Sequence, residues 1–137
     1  MKQEILFIPF FGWAISRLQP ISINRKLKYE SLKKVISVGG KRIRSGYAIL
    51  VFPEGTRNEP NSGIGKFGNS CGILAANESV PIIPVCHNAG KYWINRSFKK
   101  KSGSIDVVIG KPIFGSDAKK LTKEARSWIE KEYFKIN

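Results

Sequence analysis

Apolar and polar positions change period several times along the chain, and each change predicts an element. Residues 48–52, Ala-Ile-Leu-Val-Phe, are an unbroken apolar run closed by Pro53, the pattern of a strand buried on both faces. Residues 81–86, Pro-Ile-Ile-Pro-Val-Cys, read the same way, with Pro84 denying a ladder donor and so predicting an edge or a strand end. A third strand is predicted over 104–109, stopped by Gly110 and Pro112. Helical spacing lies between and after these runs. From Tyr29 onward Leu32, Val35, Ile36 and Ile43 recur on one side, interrupted by Gly39-Gly40. Residues 69–78 predict a short helix with small residues on one face. Leu121, Ala125, Trp128, Ile129 and Tyr133 line one side of a last helix that Ser116 or Asp117 can cap. Strands alternating with helices predict an α/β fold, a mixed and mostly parallel sheet flanked by helices. Ligands of such sheets collect where strands run out into loops at their carboxyl ends, which directs attention to the loop beginning at Pro53.

The chain has 137 residues with no internal repeat, linker or low-complexity tract, so a single domain over 1–137 is expected. Its 42% apolar and 25% charged residues are a globular composition. The longest apolar stretch, Ile5 to Ile15, contains Pro9 and Gly12 and falls well short of the ~20 residues that cross a bilayer. Glu4 within the would-be positive region, and the lack of a small-x-small site after Ile15, argue against a secretory signal. Two cysteines, Cys71 and Cys86, make no disulfide framework and suit a reducing compartment, so the Asn-x-Ser triplets at Asn77 and Asn95 carry no weight. Twenty-four Lys and Arg against ten Asp and Glu give a net charge of +14, which points to an anionic partner: nucleic acid, a phosphorylated small molecule or an anionic membrane. Solvated lysine-rich faces account for part of that charge.

Phe52-Pro53-Glu54-Gly55-Thr56-Arg57 follows the first predicted strand directly. Pro53 fixes one dihedral and Gly55 permits a left-handed turn, so Glu54 and Arg57 are held at the strand's mouth. The guanidinium of Arg57 offers a planar fork for phosphate oxygens, and Glu54 can accept from a polyol hydroxyl or orient the arginine. An ordinary turn with an exposed ion pair has the same spacing. Gly63-Ile-Gly65-Lys66-Phe67-Gly68 matches the spacing of dinucleotide loops but lies ten residues beyond the strand and lacks the acidic residue that closes a ribose site. It reads instead as a flexible loop before a helix. One His, two separated Cys and the two aspartates Asp106 and Asp117 provide no metal set, and no cofactor is expected.

With the hexad set beside its neighbours, the chain resembles the 1-acyl-sn-glycerol-3-phosphate acyltransferase family. The hexad at 52–57 looks like that family's third motif without departure. Val80-Pro81-Ile82-Ile83-Pro84-Val85 looks like its fourth, and Ile21-Ser22-Ile23-Asn24-Arg25 is similar to its second, with Asn24 where Asp is usual. Pro9-Phe10-Phe11-Gly12-Trp13-Ala14 and His87-Asn88-Ala89-Gly90 also resemble stretches of bacterial members. The resemblance runs in order over nearly the whole chain. It implies transfer of a fatty acyl group from acyl-CoA or acyl-carrier protein to lysophosphatidic acid, giving phosphatidic acid. Arg25, Glu54, Gly55, Thr56 and Arg57 would hold the phosphate and glycerol, and Pro81 and Pro84 would shape the floor of the acyl-donor pocket.

The family's first motif, a His followed five positions later by an Asp, is absent, so no catalytic residue is assigned. In the family that His is the general base on the acceptor hydroxyl and the Asp orients it. The sole histidine here, His87, has Tyr92 five positions on. The resemblance therefore implies a domain incomplete at its amino end and inactive alone. It also implies a peripheral position on the cytoplasmic side of an anionic membrane, where Phe7, Phe10, Phe11 and Trp13 would enter the headgroup region, unless these rings simply pack in the core. A non-catalytic phospholipid or phosphate binder is the alternative. A basic nucleic-acid binder is more remote, because no RNP, KH, helix-turn-helix or zinc-finger signature accompanies the charge, and no nucleic-acid partner is expected.

Overall fold

The computed structural model describes residues 8–23, 27–56, 62–94, 98 and 100–136, with only the backbone of Phe11 and Lys28. The chain falls into two compact units, Met1–Leu50 and Val51–Asn137.

The first unit holds two helices, α1 (Phe11–Ser16) and α2 (Lys28–Arg44). The spacing of Leu32, Val35, Ile36 and Ile43 makes α2 amphipathic, and all four are half-buried. Gly39 and Gly40, expected to weaken this helix, are its most enclosed described positions. Lys41, Arg42 and Arg44 crowd the last turn, where cations oppose the negative end of the helix dipole. The helix ends in a Schellman turn: Gly46, at φ 84°, donates to the Ile43 carbonyl (2.9 Å) and Tyr47 donates to that of Arg42 (3.0 Å). Arg42 also donates through Nη1 to the carbonyl of Gln19, tying the segment after α1 to α2.

The second unit contains α3 (Ser70–Glu78), β1 (Val85–His87), a 3₁₀ turn (Ala89–Lys91), β2 (Val107–Ile109) and α4 (Ala118–Ile136). Helix α4 is the backbone of this unit. Asp117 caps it, its carboxylate accepting the amides of Lys119 (2.8 Å) and Lys120 (3.0 Å). Leu121, Thr122 and Ala125 are buried along one side, continued by half-buried Trp128, Ile129 and Tyr133. Gly72 of α3 lies so near α4 that a Cβ there would run into the Ala118 carbonyl and the Thr122 hydroxyl. The hydroxyl of Thr122 donates back to Ala118 (2.8 Å), so this buried polar group is satisfied within the contact.

Strands β1 and β2 pair antiparallel with Val85 opposite Ile109, Cys86 opposite Val108 and His87 opposite Val107. A bridge between Ile82 and Ile113 extends the pairing beyond Pro84, whose carbonyl accepts the Gly110 amide (2.9 Å). Pro84 thus stands at the strand's start, consistent with its lost donor. A Cβ on Gly110 would lie 2.7 Å from Trp128 and 2.8 Å from Pro84, so this glycine lets α4 seat its indole on the ladder. Asn88 joins the ends of the unit: its Nδ2 donates to Asp106 (2.9 Å) and to the Ile136 carbonyl (3.3 Å), and its Oδ1 accepts the Asp106 amide (2.9 Å). The opposite face of the pair is apolar and exposed at Val85, Val107 and Ile109.

Residues 48–52 differ from expectation. They form no strand, and Leu50 and Phe52 are 78% and 72% exposed. A continuous apolar run marks a strand that neighbours cover on both faces, but it cannot supply those neighbours, and none of the described residues pairs with it as a strand.

Candidate functional site

The hexad's corner is a turn built by its own residues. Gly55 donates to the Phe52 carbonyl (3.1 Å) and adopts φ 65°, the left-handed conformation that favours glycine. Glu54 is half-buried, and Thr56 is exposed. Arg25 and Arg57, both expected to grip phosphate, lie outside the described residues, as does Asn24.

Glu54 is anchored from across a loop. Its Oε2 accepts the Gly65 amide at 3.0 Å, and Gly68 donates to the Pro53 carbonyl at 2.9 Å. The glycine-spaced segment 63–68 is a loop before α3, as expected, and it is fastened to the hexad through two amides, which makes it a brace. The amides that meet Glu54 and Pro53 belong to two of the glycines, Gly65 and Gly68, of the spacing that resembled a dinucleotide loop.

Arg126 secures the brace from the other side. Its Nε donates to the Gly65 carbonyl (3.4 Å) and its Nη2 to that of Ile64 (3.5 Å), while the same Nη2 meets Glu130 Oε1 at 3.5 Å. A guanidinium suits this task because several donors diverge from one plane. Glu54, Gly65 and Arg126 form a relay from α4 to the hexad. Nothing local in the sequence announces it, because Arg126 is one of several charged positions on a solvated helix and its partners lie far upstream.

Tyr133, one turn from the end of α4, reports the surroundings of Glu54. Its phenol is held above its ordinary pKa mainly by burial, with the charges of Cys86 and Glu54 adding to the effect. Burial likewise pushes the Cys86 thiol up, with Glu132 adding and the His87 backbone opposing. The two prolines assigned to the donor floor lie beside this region in sequence and ladder: Pro81 is half-buried, and Pro84 is buried against Gly110. His87 Nδ1 accepts the Ala89 amide at 3.3 Å, which gives the imidazole a local backbone partner. Among the described residues no three His, Cys, Asp or Glu side chains gather as a metal site, and no helix is long and apolar enough to cross a membrane.

Comparison with known proteins bears on this arrangement. The Acyltransferase family model matches residues 1–88. A 1-acyl-sn-glycerol-3-phosphate acyltransferase of Pseudomonas aeruginosa is 36% identical over 143 aligned residues, covering 100% of this chain and 55% of the relative. A protein of the same name from Escherichia coli is 31% identical, covering 99% and 57%. The crystal structure of the 1-acyl-sn-glycerophosphate acyltransferase of Thermotoga maritima superposes with a TM-score of 0.79 at 23% identity, covering 98% of this chain and 54% of that one. This likeness supports the α/β fold class; the sheet among the described residues is the antiparallel pair. The chain spans about half the length of these relatives.

Proposed function

This chain belongs to the Acyltransferase family, and from that premise we propose that it carries the acceptor-binding corner of a 1-acyl-sn-glycerol-3-phosphate acyltransferase of phospholipid biosynthesis. The acceptor is lysophosphatidic acid, the donor acyl-CoA or acyl-carrier protein, and the product phosphatidic acid. The observation that carries this reading is the braced hexad: a turn held by Gly55, with the Glu54 carboxylate fixed by the Gly65 amide shortly before Arg57 in the chain.

The division of labour follows from the side chains. Arg57 and Arg25 supply charge-assisted hydrogen bonds to the phosphate, whose negative charge is the strongest handle on the acceptor. Glu54 accepts from the glycerol hydroxyl region, with its orientation set by Gly65. Pro81 and Pro84 stiffen the floor under the thioester. Acyl transfer itself forms the new ester bond at the acceptor hydroxyl as the thioester breaks. The hydroxyl proton must go to a base that the family draws from its His-x-x-x-x-Asp motif, which this sequence does not contain. The chain works peripherally on the cytoplasmic side of an anionic membrane, with exposed Phe10 and Trp13 meeting edge-to-face at 5.2 Å as an apolar contact.

The test is a chimera in which this chain replaces the stretch of the Pseudomonas aeruginosa relative that it matches. Phosphatidic acid formation from labelled lysophosphatidic acid, abolished by Arg57→Ala, supports the reading. A folded chimera that binds neither acceptor nor donor contradicts it. A second reading, a phospholipid binder without catalysis, is favoured by the occupied His87 Nδ1. It predicts that the chimera binds lysophosphatidic acid yet stays inactive.

A further inference from the structure

The turn after β1 carries a feature outside the hexad and its brace. Trp93 is 66% exposed and Phe98 fully so, on a loop whose neck is closed where Lys101 donates to the Tyr92 carbonyl at 3.0 Å. The Tyr92 ring fills the space beside Gly103 so completely that a Cβ there would strike it. Lys91 bonds the Ile136 carbonyl at the end of α4 (3.2 Å), and Trp93 donates to the Ala89 carbonyl (2.9 Å). The base of the loop is thus built into the second unit while its two large rings project outward. Lys100 lies over the Trp93 ring with Nζ 4.5 Å from the centroid, and exposed Lys101 follows. No Asp or Glu occurs from residue 79 to residue 105.

We propose that this loop, through Trp93, Phe98, Lys100 and Lys101, is a docking element for the surface of an anionic phospholipid bilayer, separate from Phe10 and Trp13. An indole and a phenyl held out in water gain from entering the headgroup–acyl boundary, while lysines beside them stay at the phosphates. A nucleic-acid platform would offer open ring faces along a groove; here Lys100 covers one face of Trp93, and Phe98 protrudes fully exposed instead of lining a groove among the described residues. The inference rests on the reading that the chain works at phosphatidate-bearing membrane.

Co-sedimentation of the chain with phosphatidylcholine vesicles, with and without phosphatidic acid, tests it. The unaltered chain binds the anionic vesicles and the double variant Trp93→Ser/Phe98→Ser binds about tenfold more weakly. Lys100→Glu and Lys101→Glu each weaken binding about fivefold or more, chiefly at low salt. Circular dichroism unchanged from the parent shows that these surface replacements leave the fold intact. Brominated phosphatidylcholine quenches tryptophan fluorescence in the parent and less in Trp93→Phe. If the parent binds and the loop variants bind equally well, the loop proposal fails alone; Phe10→Ser/Trp13→Ser in parallel then tests the other contact. If the parent ignores anionic vesicles, both this proposal and the membrane reading fail. Trp93-dependent binding to single-stranded RNA with no vesicle binding also overturns it.

Discussion

The carboxylate of Glu54 and the amide of Gly65 meet at 3.0 Å, and this bond gives the hexad its orientation. Gly65 can offer its amide because its carbonyl, and that of Ile64, are held by Arg126. The turn is thereby referred to the longest helix described in the unit.

Removing that helix's contribution separates positioning from folding. Arg126→Ala leaves the caps and the buried face of α4 untouched, so stability falls by only about 0.5–1 kcal/mol. Amide exchange at Gly65 accelerates, and affinity for lysophosphatidic acid drops by more than the stability loss implies. Arg126→Lys does not restore it, because a point charge cannot serve both carbonyls. Hydrogen exchange and lipid titration on the same three proteins check this.

At the end of α3, Ser79 occupies the left-handed region at φ 53° while Val80 donates to the Ala75 carbonyl at 3.0 Å. This is a Schellman turn with a side chain where glycine is favoured. Ser79→Gly raises stability by about 0.5–1 kcal/mol, read as a higher urea midpoint with unchanged m-value.

Asp117 makes part of the stability acid-sensitive. The amides of Lys120 and then Lys119 hold its carboxyl below the ordinary value, so the folded state binds that proton less readily than the unfolded one. Its contribution is fully present above the unfolded pKa of about 3.9 and is lost as pH falls through the lower folded value. Asp117→Asn keeps an oxygen acceptor at the cap and flattens the acid limb, as thermal melts over the acid range will show. Asp117→Ala lowers stability at neutral pH as well.

Helices α2, α3 and α4 are legible in the sequence because their signals are local, whereas the six-residue α1 is not among the expected elements. The apolar spacing of α2 and α4, the small residues of α3 and the cap at Asp117 all lie within a few turns of what they specify. Strands β1 and β2 are legible as runs, but their pairing joins segments some twenty residues apart and is not. Residues 48–52 read as a strand because their composition demands cover; composition says nothing about where cover comes from. In the site, Glu54 and the Gly55 turn are visible in the motif. The brace is hidden, since glycine spacing in 63–68 matches that of a dinucleotide loop and Arg126 resembles any solvated helix charge.

The two cysteines will react at different rates. Cys86 is buried on β1 with its thiol pKa raised, chiefly by burial and then by Glu132, so little thiolate forms at neutral pH. Cys71 is half-buried on α3. A chromogenic disulfide reagent therefore titrates one thiol quickly under native conditions, and the second only on unfolding. Cys71→Ser removes the fast phase and Cys86→Ser the slow one.

Titration calorimetry of the chain with lysophosphatidic acid, set against lysophosphatidylcholine, tests the central claim most directly. The account predicts saturable binding to lysophosphatidic acid alone, weakened about tenfold or more by Arg57→Ala. Glu54→Ala, which releases the brace, also weakens it. Equal affinity for the two lipids, or binding unchanged by Arg57→Ala, would contradict the account.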